Sequence, residues 1–366
     1  MTSAAPAVST TEAPAAAPTT AAPTTTVAPP TTAAPTTVAP PARLSGVGAL
    51  GRFPERVYVP NSDSNSLSVI DPATFEVIDT YPTDALPHHV TPAWDLSELY
   101  VNNTAGNSLQ AIDPESGRIT RRIPVTDPYN LYFTPDGADA IVVAERFRRL
   151  DIRDPKTWEL KAQTPIPHAG PDHLAFSPEG DYLVISAEFS GRLVKVDTRT
   201  WEVVGEALDV GGEPIDVVRP PNQRLMLVAN QRRGGVHVID PDAWEERAFV
   251  PTGAGAHGIL LSHDQRSVYV SNRLGGSMSV LSLEDFTVTD TWRIPGGGSP
   301  DMGQLSPDGR RLWIAGRYHG QVYVFDTDTG ELAARIPVAR GPHGLSYFPR
   351  SARPHSVGHN GVYVED

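Results

Sequence analysis

One unit of four short apolar runs recurs along this chain, and no other feature narrows its fold as much. The clearest copy lies between Ser299 and Gly344. A short apolar run leads to the turn Pro307-Asp308-Gly309, and the alternating run Leu312-Trp313-Ile314 follows. Val322-Tyr323-Val324-Phe325 then runs into Asp326-Thr327-Asp328-Thr329-Gly330, and a last alternating run ends at Pro337. Short runs of period two bounded by Gly, Pro and Asp read as strands joined by tight turns. The residue just before the first strand can be followed from copy to copy as Pro87, Pro128, Pro171, Pro214, Ala256, Pro300 and Pro342. Successive spacings are 41, 43, 43, 42, 44 and 42 residues.

Four strands in a period of about 42 residues match the blade of a β-propeller rather than a helical solenoid. No window carries a convincing helical apolar stripe, so helix content is expected to be very low. Six complete units run from residue 88 to about 338. The seventh is split. Residues 343–348 supply its innermost strand, and Val57-Tyr58-Val59, Leu67-Ser68-Val69-Ile70 and Phe75-Glu76-Val77-Ile78 supply the rest. Pairing the two chain ends in one sheet closes the ring and leaves no open edge. The expected architecture is all-β: a seven-bladed β-propeller of four-stranded antiparallel blades over residues 44–349.

Before it, residues 1–43 are almost all Ala, Pro, Thr and Ser, with Glu12 the only charge before Arg43. Such a stretch has nothing large to bury and is expected to be a disordered stalk or linker. After it, residues 350–366 form a tail whose run Val362-Tyr363-Val364 reads either as an extra edge strand or as loose chain.

The units Leu99-Tyr100-Val101-Asn102-Asn103, Val268-Tyr269-Val270-Ser271-Asn272 and Val57-Tyr58-Val59-Pro60-Asn61 resemble the YVTN repeat. Each is followed by a run such as Val69-Ile70-Asp71-Pro72, Ala111-Ile112-Asp113-Pro114 or Val238-Ile239-Asp240-Pro241. Over about 300 residues the chain is similar to the YVTN/YncE-like seven-bladed propellers. That resemblance is specific for fold. For function it implies only a range, from surface proteins to lactonase-like enzymes, because function sits in the site and not in the fold.

Composition removes several classes. Acidic residues outnumber basic ones by 43 to 30, a net charge of −13, which argues against a nucleic-acid backbone or an anionic membrane as the main partner. With no cysteine there are no disulfides, thiolate metal sites, iron–sulfur clusters or thiol nucleophiles. No apolar run is long enough to cross a membrane as a helix. The Thr/Pro tract resembles the O-glycosylated stalks of exported proteins, so a secreted, periplasmic or cell-surface monomer is expected. Met1 leads straight into that tract, so either an export signal has been removed or lies upstream, or the protein is cytosolic.

Alternating strand direction sorts the turns onto two faces. Pro135-Asp136-Gly137, Pro178-Glu179-Gly180 and the Asp-Pro turns fall at the bottom. At the top, around the channel mouth, the starts of the inner strands meet the ends of the second strands. Directly after the landmark stand His88, Tyr129, Asp172, Ile215, His257, Asp301 and His343. One residue later stand His89, Asn130, His173, Asp216, Gly258, Met302 and Gly344. Five of the chain's 11 histidines and three aspartates therefore fall on two adjacent columns. Without cysteine, His and carboxylates are the ligands left for zinc or copper, and a ring of them can converge on one ion. The columns have opposite side-chain parity and should not face the same way. The glycines of the second column suggest little space there. His88, His257 and His343, with Asp172 or Asp301, are therefore the leading ligand candidates, and His89, His173 and Asp216 are the reserve.

The ends of the second strands read Asn61, Asn103, Glu145, Glu188, Asn230, Asn272 and Gly316. Asn in this position is expected to satisfy backbone groups of the turn. Glu145 and Glu188 break the pattern as a candidate acid/base pair or as further ligands. Arg146, Arg273 and Arg317 follow in the same loops, placed either to neutralise those carboxylates or to grip an anionic substrate. Trp158, Trp201, Trp244, Phe286 and Phe75 recur at the start of the outermost strand and read as packing between blades. No Gly-x-Ser-x-Gly elbow and no His-Glu-x-x-His helix is present.

These readings lead to three functions. The first is a divalent-metal site at the mouth serving hydrolase or lyase chemistry on a small molecule, as the lactonase-like members of the resembling family imply. The second is a non-catalytic scaffold presenting its top loops to a protein or glycan. The third is a periplasmic-type metal carrier.

Overall fold

The computed structural model describes residues 53–221 and 223–349, together with the backbone of 355–357 and 362–364. The expected stalk, residues 1–43, lies outside the described residues. Among the described residues the chain forms seven blades, each a four-stranded antiparallel sheet, and in six of them the strands run in chain order from the axis outward. Blade 1 comprises Pro87–Pro92, Leu99–Asn103, Ser108–Asp113 and Arg118–Pro124. Blades 2 to 6 begin at the inner strands Asn130–Phe133, Pro171–Phe176, Pro214–Val218, Ala256–Leu261 and Pro300–Leu305. In blade 3 the outermost strand is broken into Glu202–Val203 and Leu208–Asp209, both paired with Arg192–Asp197.

Blade 7 closes the ring as the sequence implies. Ser346–Phe348 pairs antiparallel with Arg56–Asn61, bringing Tyr347 opposite Val57. The closing segment also reaches blade 1, where Val90 N–H donates to the Gly344 carbonyl at 3.0 Å. His355–Val357 and Val362–Val364 pair with each other as a hairpin, so the tail's apolar run does not extend a blade as an edge strand.

There is no single core. Seven apolar clusters occupy the seven interfaces between neighbouring blades. Between blades 1 and 2, Tyr100, Leu109 and Ile123 pack on Leu131, Phe133 and Trp158. Inner strands are covered on both faces, so even their polar residues are buried: all of Pro87–Pro92 is buried, whereas the outermost strand Glu76–Pro82 is largely exposed. Period two in this sequence therefore marks which neighbouring blade a side chain meets, and only on the outer strands does it also mark solvent.

The recurring aromatic residues pack between blades, as the Tyr100–Trp158 and Phe75–Trp313 ring contacts show at 4.9 and 5.5 Å. They also close the bottom turns. Phe75, Trp158, Trp201, Trp244 and Phe286 all have positive φ, between 55° and 64°. Phe75 N–H reaches the Asp71 carbonyl at 2.9 Å, and Trp158 N–H the Asp154 carbonyl at 2.9 Å. Blade 6 uses Gly330 there (φ 71°), because a Cβ would lie 2.2 Å from Trp292 of blade 5.

Candidate functional site at the channel mouth

The mouth is built by an irregularity that parity alone does not anticipate. In five blades the pairing of inner and second strands slips where the inner strand begins: between Pro87 and His89, Pro171 and Leu174, Pro214 and Val217, Ala256 and Ile259, and Pro300 and Gly303. A bulge places two residues opposite one and re-aims the side chains beside it. Both columns therefore reach the same place, which corrects the expectation that they face apart. His88 and His89 lie with ring centroids 5.0 Å apart, and His88 stacks on His343 at 3.9 Å.

Among the described residues, two groups of side chains could hold a metal ion: His88, His89 and His343, and His257, Asp301 and His343, with ligand atoms within 4.8 Å in each. All five residues are buried. The second group is already occupied by charge. Arg273 Nη2 donates to Asp301 Oδ1 at 2.7 Å and also to His257 Nε2, while His257 Nδ1 lies 2.9 Å from the same carboxylate oxygen. Nε2 therefore accepts and Nδ1 carries the proton. Burial, followed by the Arg273 charge, lowers the His257 pKa to about 4. Burial alone would raise the pKa of Asp301, but Arg273, His343 and His257 outweigh it and hold the carboxyl well below the usual range.

In the first group, burial works against the charged form of His88 and His343. Burial, reinforced by Arg317, pushes His88 well below the ordinary histidine range. Burial does the same for His343 despite the opposing pull of Asp301. His343 Nδ1 is 3.2 Å from the His88 carbonyl, which turns Nε2 toward the mouth, 3.6 Å from Asp301 Oδ2. His88 is different: both of its ring nitrogens are buried and have no hydrogen-bond partner among the described residues. His89 is accommodated because blade 7 has Gly344, where a Cβ would fall 1.8 Å from the His89 ring.

Across the mouth, blades 2 and 3 present carboxyl groups. Asp172 accepts from Asn130 Nδ2 at 3.2 Å and lies 3.5 Å from His173. Burial first, and Glu188 and Asp216 next, push its pKa far up. Glu188 is raised to about 7 by burial and by Glu213, and Glu145 is raised by burial and Asp127. Among the described residues, 3₁₀ turns occur at Glu145–Phe147 and Glu188–Ser190. The pairing corrects the alignment read from spacing: Ala144 faces Arg149 and Ala187 faces Arg192 just as Asn61 faces Ser66, so Glu145 and Glu188 stand one residue beyond the Asn position, level with Ser62, Thr104, Gln231, Arg273 and Arg317. Elsewhere the Asn amide bonds chiefly to side chains on the third strand: Asn61 to Ser66 and Ser68, Asn103 to Ser108 and Gln110, Asn272 to Ser277 and Ser279. Blades 2 and 3 have Ala144 and Ala187 at that position, and their glutamates lie beyond it in the turn.

The remaining candidates separate clearly. His173 takes the Tyr132 hydroxyl at 2.8 Å and Asp216 accepts the Ile259 N–H at 2.7 Å, so both serve contacts between blades. Arg146 is held by Asp127 through its side chain at 2.6 Å and its backbone N–H at 2.8 Å. Arg317 gives Nη1 to the Gly341 carbonyl at 2.9 Å and its charge bears on His88, His257 and His343. Tyr129, named in the first column but given no role there, lies with its ring 4.5 Å from His88 and is partly exposed in the mouth. Its phenol is held protonated by burial and by Asp172 and Glu188.

Among known proteins, the chain is 36% identical over 120 residues to Protein NirF of Pseudomonas aeruginosa, a match spanning 32% of this chain and 30% of NirF. Its fold is similar to that of a functionally unknown protein from Desulfotomaculum acetoxidans (TM-score 0.70, 16% identity, 81% of this chain and 99% of that one). It is also similar to the dihydro-heme d1 dehydrogenase NirN in complex with DHE (TM-score 0.63, 15% identity, 80% and 74%). A protein from Bacteroides uniformis provisionally assigned as a 6-phosphogluconolactonase gives a TM-score of 0.65 at 18% identity, covering 80% and 99%. At such identities these three structures speak for the fold alone. The sequence pattern of the YNCE-like beta-propellers matches residues 17–353, nearly the whole chain, and the chain belongs to that family.

Proposed function

We propose that the channel mouth is a small-molecule site in which His88, His89 and His343 hold a divalent metal ion, zinc or copper, and Glu188 transfers protons. The observation that carries this reading is His88. A buried imidazole whose two nitrogens lack protein partners is costly to keep, and a bound ion within reach of two further imidazoles accounts for it. The lowered pKa values of His88 and His343 favour the unprotonated state that binds metal. The metal, when bound, supplies a Lewis acid for a carbonyl or for water. Glu188, with a pKa of about 7, can hold or release a proton at working pH. Arg317, and the Arg273 that locks Asp301 in place, give the His side of the mouth positive charge for an anionic substrate. The reaction class that suits these parts is hydrolysis or elimination on a small acid, in line with the lactonase-like fold neighbour. The Ala/Pro/Thr tract supports export of the protein.

Elemental analysis of the purified full chain, after loading with zinc or copper, tests the metal. The expected result is a stoichiometric ion, lost in a His88→Ala/His89→Ala variant that still unfolds cooperatively. No bound metal after loading overturns the reading. Lactone and ester hydrolysis with and without chelator then separates an enzyme from a carrier.

A second reading is favoured by the stretch shared with NirF together with the fold shared with NirN. In it the metal facing His88 belongs to a haem-like tetrapyrrole. Titration with hemin would then give a Soret shift that the His88→Ala variant lacks.

A further inference from the structure

Large apolar side chains are strongly exposed in two settings among the described residues. Val77, Ile78, Leu160 and Val204 sit on or beside outermost strands, where a blade meets solvent. Phe147, Phe189, Leu274 and Tyr318, exposed by 52, 65, 65 and 63%, are instead all in top turns. They belong to blades 2, 3, 5 and 6 and stand within two residues of Glu145, Glu188, Arg273 and Arg317.

These side chains lie over the entrances to their blades. A Cβ at Gly170, one residue before the inner strand of blade 3, would come 2.8 Å from the Phe189 ring. One at Gly255, just before the inner strand of blade 5, would come 2.7 Å from Leu274 Cγ. Both glycines have φ of 76°, and the turn brings their backbone against the apolar side chain. The Tyr318 ring is 5.9 Å from the Arg273 guanidinium, one contact away from His257 and Asp301. Exposed apolar groups gathered around a polar recess mark a surface that is covered in use.

We propose that Phe147, Phe189, Leu274 and Tyr318 form an apolar collar that selects a small ligand with an aromatic or alicyclic body and an acidic head. The head descends toward Arg273, Arg317 and the imidazoles, and the collar covers the body. Charge favours this occupant: Asp301 offsets Arg273, and Arg317 adds a further positive charge beside the histidines, which draws an anion there although the chain carries a net charge of −13. The inference rests on the mouth being a small-molecule site and does not require the metal.

Anilinonaphthalenesulfonate, an aromatic body with an anionic head, is a direct probe. Fluorescence titration of the full chain should show saturable, stoichiometric binding. Phe189→Ser and Tyr318→Ser, both surface changes, should each weaken it by about tenfold or more, the effect expected for losing the burial of one aromatic ring. Val77→Ser and Val204→Ser, on the outer strands, should leave it unchanged, and all four variants should keep the wild-type melting temperature. Three results would overturn the collar: no binding by the wild type, binding indifferent to Phe189 and Tyr318, or a dimer in sedimentation that the collar substitutions dissolve. Metal content of the same variants is read separately. Collar-dependent binding without metal removes only the metal reading, and metal without collar dependence removes only the collar.

Discussion

The two sides of the mouth occupy equivalent positions in the repeat, yet they meet the cost of buried ionisable groups in opposite ways. On the side of blades 5, 6, 7 and 1, charge is compensated. Arg273 pairs with Asp301, and the imidazoles of His88, His257 and His343 stay neutral. On the side of blades 2 and 3, Asp172, Glu145 and Glu188 crowd together, and their protons are retained to higher pH. Compensation yields rigidity, whereas crowding yields groups poised to exchange protons.

The contrast has a sign in pH. His257 binds protons less tightly folded than unfolded, so stability falls as pH drops from 6.5 toward about 4. Glu188 binds its proton more tightly folded than unfolded, so stability falls as pH rises from 4.5 toward about 7. The two sides oppose each other across the same interval.

Removing the compensating cation should produce the largest break. Arg273→Met leaves Asp301 fully buried without its strongest partner and should cost about 3–5 kcal/mol in urea unfolding at neutral pH. A loss under about 1 kcal/mol would mean that this side is not held by charge. Gly344→Ala should come next. Its Cβ would meet the His89 ring, so the inner strand must shift, at about 1–3 kcal/mol, and the His89 NMR resonances should move. Glu188→Gln should act in the other direction, adding about 1–2 kcal/mol at pH 8 and little at pH 4, because it removes a carboxylate that burial disfavours when charged. Equal effects at both pH values would show that Glu188 is not crowded. Glu145→Gln, which removes another of the crowded carboxylates, should have the smallest effect in the same urea unfolding, no more than about 0.5 kcal/mol.

How much of this was legible in the sequence depends on the distance over which each feature is written. The propeller, its closure and the meeting of inner-strand starts with second-strand ends at one mouth follow from the repeat, because every copy restates them. The bulge does not. It is a slip of main-chain pairing by one residue, and the stretches Pro87-His88-His89 and Ala256-His257-Gly258 look like ordinary strand starts. The true place of Glu145 and Glu188 does not follow either: spacing sets them on the Asn column, while main-chain pairing puts Ala144 and Ala187 there and moves the glutamates one residue into the turn. Nor does the grip of Arg273 on Asp301, since it joins blades 5 and 6 through the fold and not through spacing.

The split blade has a consequence for when the site comes into being. His343 lies in the segment that closes the ring, next to the strand Ser346–Phe348. During synthesis, the other histidines of the mouth are made long before their partner leaves the ribosome. A chain cut short before residue 343 would lack both the closing strand and the third imidazole. Ligand capture at the mouth would then report that the chain had been made past its closing strand.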